Sequence, residues 1–109
     1  MKLHNAMAPN GLRVTIFLQE KGISLPTELV DIMGGGTQTA DYLRINPLGE
    51  VPVLELDDGR ILTESVAICR YVEGLNPEPA LFGADLQEQA VIEMWNRRIE
   101  LKILNVLGD

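Results

Sequence analysis

The sequence predicts an α/β domain in the order βαβαββα, built on a four-stranded mixed sheet and followed by one long helix. Three observations carry that prediction. Apolar residues recur at helical spacing in several separate stretches, and short runs rich in β-formers lie between them. Asp57-Asp58-Gly59 separates two such runs and ends on a glycine that tolerates positive φ, a strong tight-hairpin signal.

Lys2 to Asn5 reads as a short first strand. Pro9-Asn10-Gly11 is a turn opening a helix that runs to about Lys21, with Val14, Ile16, Phe17 and Leu18 as its apolar positions, and Gly22 stops it. Thr27 to Ile32 is rich in β-formers and reads as the second strand. Gly34-Gly35-Gly36 and Thr37-Gln38-Thr39 then form a flexible loop before a short helix near Ala40 to Ile45. Val51 to Leu56 and Arg60 to Thr63 flank the hairpin turn, so this pair is antiparallel. Ser65 is placed to cap a helix carrying Val66, Ile68, Cys69, Tyr71, Val72 and Leu75, which Asn76-Pro77-Glu78-Pro79 ends. After a linker, Asp85 can cap a last helix from about Leu86 to Leu107, roughly 30 Å long. Its far end carries Leu101, Ile103, Leu104, Val106 and Leu107 around more than one face, which predicts burial against a partner and self-association.

At 109 residues with 46% hydrophobic content, the chain is large enough for a real core. Nine Lys and Arg against sixteen Asp and Glu give a formal charge of -7, which disfavours nucleic acid and anionic membrane surfaces as partners. The single cysteine, Cys69, permits neither an internal disulfide nor a Cys-x-x-Cys redox pair. No signal peptide or membrane-spanning run is visible, so a cytoplasmic location is expected.

The chemistry concentrates in Asn46-Pro47-Leu48-Gly49-Glu50-Val51-Pro52-Val53-Leu54 and in Thr63-Glu64-Ser65. Pro52 stands where a strand would need a ladder N–H, which leaves the backbone beside it free to pair with a short extended peptide. Glu64 and Ser65 sit where a helix begins, the acid suited to an ammonium group and the hydroxyl to a carboxylate. Together they describe a binder of a zwitterionic peptide.

With these residues placed, the chain resembles the thioredoxin-like amino-terminal domain of cytosolic glutathione transferases. The resemblance rests on Asn46-Pro47-x-Gly49-x-Val51-Pro52-x-Leu54, on Glu64-Ser65, and on Pro9-Asn10-Gly11-Leu12-Arg13-Val14. That last form looks most like the bacterial nu-class group and related fungal proteins. Residues 1–82 match the glutathione-binding domain, while residues 83–109 resemble the linker and first helix of a truncated all-helical domain.

The resemblance implies roles residue by residue. The bond before Pro52 is cis in the family, and the Val51 N–H and C=O pair with the cysteinyl part of glutathione. Glu64 holds the γ-glutamyl ammonium, and Ser65 with the helix start holds the carboxylate. Relatives place a hydroxyl at the position that is Ala8 here, so Asn10 is the candidate left to stabilise the thiolate, by donation from its amide. Gln38 would donate to the glycyl carboxylate, beside a Glu50 that would repel it if turned inward. Simpler readings stand beside these: a turn residue at Asn10, a solvated loop side chain at Gln38, an ordinary helix cap at Ser65.

The implied function is conjugation of glutathione, as co-substrate, to an electrophile, or its use to reduce a disulfide or peroxide, by a homodimer without a metal. The rival is a non-catalytic binding module that keeps the fold. Other residues point elsewhere: His4 to a structural place at a strand end, Cys69 to a buried apolar role, and Trp95 to core packing. The glycine run lacks the ending of a phosphate loop.

Overall fold

The computed structural model describes residues 1–104. In chain order they form β1 (Lys2–Asn5), α1 (Pro9–Lys21), β2 (Thr27–Leu29), α2 (Ala40–Ile45), β3 (Val53–Glu55), β4 (Ile61–Leu62), α3 (Ser65–Leu75) and α4 (Leu86–Ile99). A single 3-10 turn covers Gly36–Gln38 and a π-helical segment covers Glu100–Leu104. The sheet runs β2-β1-β3-β4, with β1 and β2 parallel and the other two pairs antiparallel. This is the α/β order that the pattern predicts and the thioredoxin-like fold that the resemblance implies. The chain divides into two compact units after Asn76.

In the first unit, the largest fully buried side chains are Leu3 of β1, Val14 of α1, Val53 and Leu54 of β3, and Ile68 and Val72 of α3. Helices α1 and α3 pack on each other and α3 lies against β3. Pro9 opens α1 where its missing N–H has no helical partner to lose, and Gly22 closes it at φ 69°. Gly11 allows the first turn of α1 to press on the chain leaving β1, because a Cβ there would overlap the Ala6 carbonyl oxygen and Asn5 Oδ1. Buried Asn5 fastens the same junction: its Nδ2 donates to the Gly11 carbonyl at 3.1 Å and to Thr15 Oγ1 at 3.1 Å, and its Oδ1 accepts from the Ala6 N–H at 2.9 Å. At the other end of α1 the buried Lys21 ammonium pairs with Glu73 of α3.

Four expectations about elements need correction. Strand β2 ends at Leu29 and not at Ile32, because Asp31 starts a turn, its side chain accepting from the Gly34 N–H at 3.0 Å and its carbonyl from the Gly36 N–H at 2.7 Å. The same bonds hold the glycine run, expected as a flexible loop, in turns that end in the 3-10 segment. Strands β3 and β4 are shorter than Val51 to Leu56 and Arg60 to Thr63. Pro52 has no N–H for the ladder, and Leu56 belongs to the turn, its carbonyl accepting from the Gly59 N–H at 3.0 Å. Ser65 is the first residue of α3 and Glu64 is its cap position, without a side-chain capping bond.

In the second unit, Asp85 caps α4 as expected, accepting from the Glu88 N–H at 2.8 Å while the Glu88 carboxylate reaches back to the Ala84 N–H at 2.9 Å. Regular α-helix stops at Ile99, and the expected continuation beyond residue 104 to Leu107 lies outside the described residues. Trp95, expected in a core, is 53% exposed, with the Arg98 guanidinium 5.0 Å over its ring. An aromatic face covered by a cation in this way stays compatible with water.

Candidate functional site

The register of the sheet gathers the candidate segments at one end. Leu54 pairs with Leu62 and His4 with Val53, both antiparallel. Carried on past the last pairs, the same registers set Glu64 level with Pro52 and Ala6 level with Val51. The chain leaving β1 toward Asn10, the chain entering β3 through Val51, and the chain leaving β4 toward Ser65 therefore share that end.

A tight turn delivers Val51. The Gly49 N–H donates to the Asn46 carbonyl at 2.9 Å, with Gly49 at φ 65°, and the Leu48 N–H donates to Asn46 Oδ1 at 3.1 Å. The Glu50 carbonyl accepts from the Tyr42 hydroxyl at 2.6 Å and from Asn46 Nδ2 at 3.0 Å, while the Glu50 side chain is exposed. Burial pushes the Tyr42 phenol up to about 12, so it keeps the proton it donates. The Val51–Pro52 bond is cis. Among the described residues no hydrogen bond within the chain engages the N–H or C=O of half-buried Val51.

Glu64 and Ser65 make the second feature. Glu64 is exposed and has φ 69° and ψ 118°, a conformation that costs a non-glycine residue about 1–3 kcal/mol. Ser65 is buried, and its Oγ accepts from Arg13 Nη1 of α1 at 2.9 Å. The hydroxyl proton therefore remains available to an acceptor, next to a guanidinium and at the positive end of an 11-residue helix. A carboxylate would find three favourable partners there. Arg13 was missed at the sequence level: its tie to Ser65 spans 52 positions, and no local pattern announces it.

The remaining candidates frame this end. Asn10 is the second residue of α1, exposed, three positions before Arg13 and hence on the same side of the helix. Ala8 occupies the cap position and contributes no side-chain bond. Gln38 donates to Thr37 Oγ1 at 3.3 Å and to the Gly49 carbonyl at 3.5 Å, which ties the glycine-rich loop to the turn that delivers Val51. Cys69 is buried in α3, and that burial pushes its thiol up to about 11 against the opposing pull of Arg13. It is a poor nucleophile there. His4 is buried too, its Nε2 2.8 Å from Glu55 Oε1 of β3 and its ring edge-on to Tyr42.

The site thus presents a free peptide edge, an anion-favouring helix start with an arginine, a carboxylate and an amide at one end of a thioredoxin-like sheet. Residues 8–75 match the family described as glutathione S-transferase, N-terminal domain, and the chain belongs to that family. It is similar to glutathione S-transferase 2 of Saccharomyces cerevisiae, 38% identical over 99 residues that make up 89% of this chain and 42% of the yeast protein. It is also 37% identical to elongation factor 1-gamma 2 of Oryza sativa, over 80% of this chain and 21% of that one. The crystal structure of a glutathione S-transferase domain-containing protein from Marinobacter aquaeolei superposes with a TM-score of 0.92 at 43% identity, over 99% of this chain and 54% of that one. A glutathione transferase homologue from Sulfitobacter, solved with bound glutathione, superposes with a TM-score of 0.83 at 29% identity, over 91% and 48%. The chain spans about half the length of these transferase relatives.

Proposed function

We propose that residues 1–82 form a glutathione-binding domain and that the chain serves a glutathione-dependent transferase, which conjugates the tripeptide to an electrophile or uses it to reduce a disulfide or peroxide. The unengaged N–H and C=O of Val51 beside Pro52 are the observation that carries this reading. They offer the cysteinyl residue of glutathione a two-bond strand pairing. Ser65, with Arg13 beside it, takes the γ-glutamyl carboxylate and Glu64 the ammonium. Gln38 faces the glycyl end once it leaves the weak 3.5 Å contact to Gly49.

The thiol then lies near the start of α1. Asn10 donates its amide to the sulfur and the helix dipole favours the thiolate, while neither group removes the proton. The role is stabilisation, and bulk water carries the proton away. Residues 83–109 act as linker and first helix of an all-helical domain, and the working protein is a cytoplasmic homodimer. The match to a bound-glutathione structure supports the ligand.

Calorimetric titration of the 109-residue chain with glutathione tests the site. Glu64→Ala should weaken binding by about 1–3 kcal/mol, the scale of a lost charge-assisted bond. Unchanged affinity removes Glu64 from the site. A second reading, a non-catalytic glutathione-fold module, is favoured by Ala8 and by similarity to a protein named elongation factor 1-gamma 2. Ultraviolet absorbance of bound thiolate separates the two: binding with no thiolate signal at neutral pH selects the module.

A further inference from the structure

We propose that Tyr42 and Asn46 are positioning residues that preset the direction of the Val51 N–H by gripping the opposite side of the same peptide unit. The inference rests on the glutathione-binding reading above and adds two residues to it. The carbonyl of Glu50 and the N–H of Val51 belong to one planar group, and in a trans unit they point opposite ways. The only cis bonds among the described residues are Val51–Pro52 and Glu78–Pro79, so the Glu50–Val51 unit is trans. Holding the oxygen therefore holds the N–H.

Two donors from different parts of α2 and its exit converge on that oxygen, Tyr42 at 2.6 Å and Asn46 at 3.0 Å. Closing the turn does not require them, because the Asn46 carbonyl and Oδ1 already accept from Gly49 and Leu48. Both donors are themselves fixed. Tyr42 is 5% exposed, its ring meets His4 edge-on with centroids 6.1 Å apart, and its own N–H donates to Thr39 Oγ1 at 3.1 Å. Asn46 is 3% exposed. Without the pair, the peptide unit is free to rotate about the soft dihedrals on either side of it. A strand-like ligand gains affinity when the groups it pairs with are already aimed, since less ordering accompanies binding.

The test uses two variants of the 109-residue chain. Tyr42→Phe keeps the ring against His4 and deletes only the hydroxyl, and Asn46→Asp keeps the Oδ1 acceptor for Leu48 while replacing the donor with a carboxylate oxygen that repels the Glu50 carbonyl. In each unliganded variant the 15N order parameter of the Val51 amide should fall while those of Val53 and Leu54 hold. The glutathione dissociation constant should rise roughly 3- to 10-fold in Tyr42→Phe, the effect of one neutral hydrogen bond. An unchanged Val51 order parameter in both variants, or an equal fall at Val53 and Leu54, overturns the positioning role whether or not glutathione binds. Unchanged affinity in Tyr42→Phe overturns it as well. If the unaltered chain binds no glutathione while Val51 still loosens in the variants, the positioning stands and the glutathione reading falls.

Discussion

Asn5 illustrates how one side chain settles a junction that backbone pattern leaves open. It sits at the last residue of β1, 3% exposed, and its amide donates twice into α1 and accepts once from the Ala6 N–H of the connecting chain. Gly11 completes the fit by having no Cβ to collide with the Ala6 carbonyl and Asn5 Oδ1. Gly11→Ala should therefore destabilise the fold by about 2–3 kcal/mol, the upper range for overpacking, since the obstructing Ala6 atom is backbone and cannot rotate away. Urea unfolding followed by circular dichroism measures this, and a variant as stable as the parent rejects the steric account. Cys69 supplies a second residue-scale test. Its folded thiol holds its proton up to about 11 against an ordinary 9.0, so the unfolded chain releases a proton that the folded chain keeps across that window. Stability contributed by the thiol is complete below pH 9 and declines as pH rises toward 11. At pH 8 the folded thiolate fraction lies well below that of an ordinary thiol, and alkylation by iodoacetamide should be correspondingly slower than in the unfolded chain. Alkylation as fast as in the urea-unfolded chain contradicts the buried assignment.

At the scale of elements, helices were more legible than strands. Pro9, Gly22 and Asp85 are local signals, and the helices they bound begin or end where those residues stand. Strand ends depend on partners that no local window contains. Leu29 ends β2 because Asp31 captures the following N–H groups, and Val51 leaves the ladder because Pro52 follows it. The site divides the same way. The Val51–Pro52 and Glu64–Ser65 motifs are readable in the chain, whereas Arg13 on Ser65, and Tyr42 and Asn46 on the Glu50 carbonyl, emerge only once turns and tertiary contacts exist. Pairing of α1 with α3 yields a further test. Lys21 is fully buried at its side chain and meets Glu73, so removing the lysine takes a neutralising charge from a half-buried carboxylate. Lys21→Met alone should cost about 3–5 kcal/mol. The double variant Lys21→Met with Glu73→Leu should recover most of that loss, and thermal unfolding of the three proteins decides it. A double variant as unstable as the single one shows that the pair contributes through packing and not through charge.

At the scale of the whole molecule, two opposing terms govern association. The described part of the second unit leaves Val91, Met94, Trp95, Ile99, Leu101 and Ile103 each 39–53% exposed, an apolar area that water disfavours. A net charge of -7 on every copy opposes their approach. The apolar term is short-ranged and insensitive to moderate salt, whereas the repulsion is screened over about 10 Å at 0.1 M ionic strength. Self-association of the 109-residue chain should therefore strengthen as salt rises from about 10 mM to 150 mM, the range over which the Debye length shrinks from about 30 Å to 8 Å. Acidification toward the sequence pI of about 4.6 should act in the same direction by removing negative charge. Sedimentation velocity at several concentrations and both salt levels measures the association. The single tryptophan, Trp95, reports its location, because burial of a half-exposed indole moves its fluorescence to shorter wavelength. A monomer under every condition rejects the apolar drive, and association that weakens with added salt shows that ion pairs between copies hold them together instead.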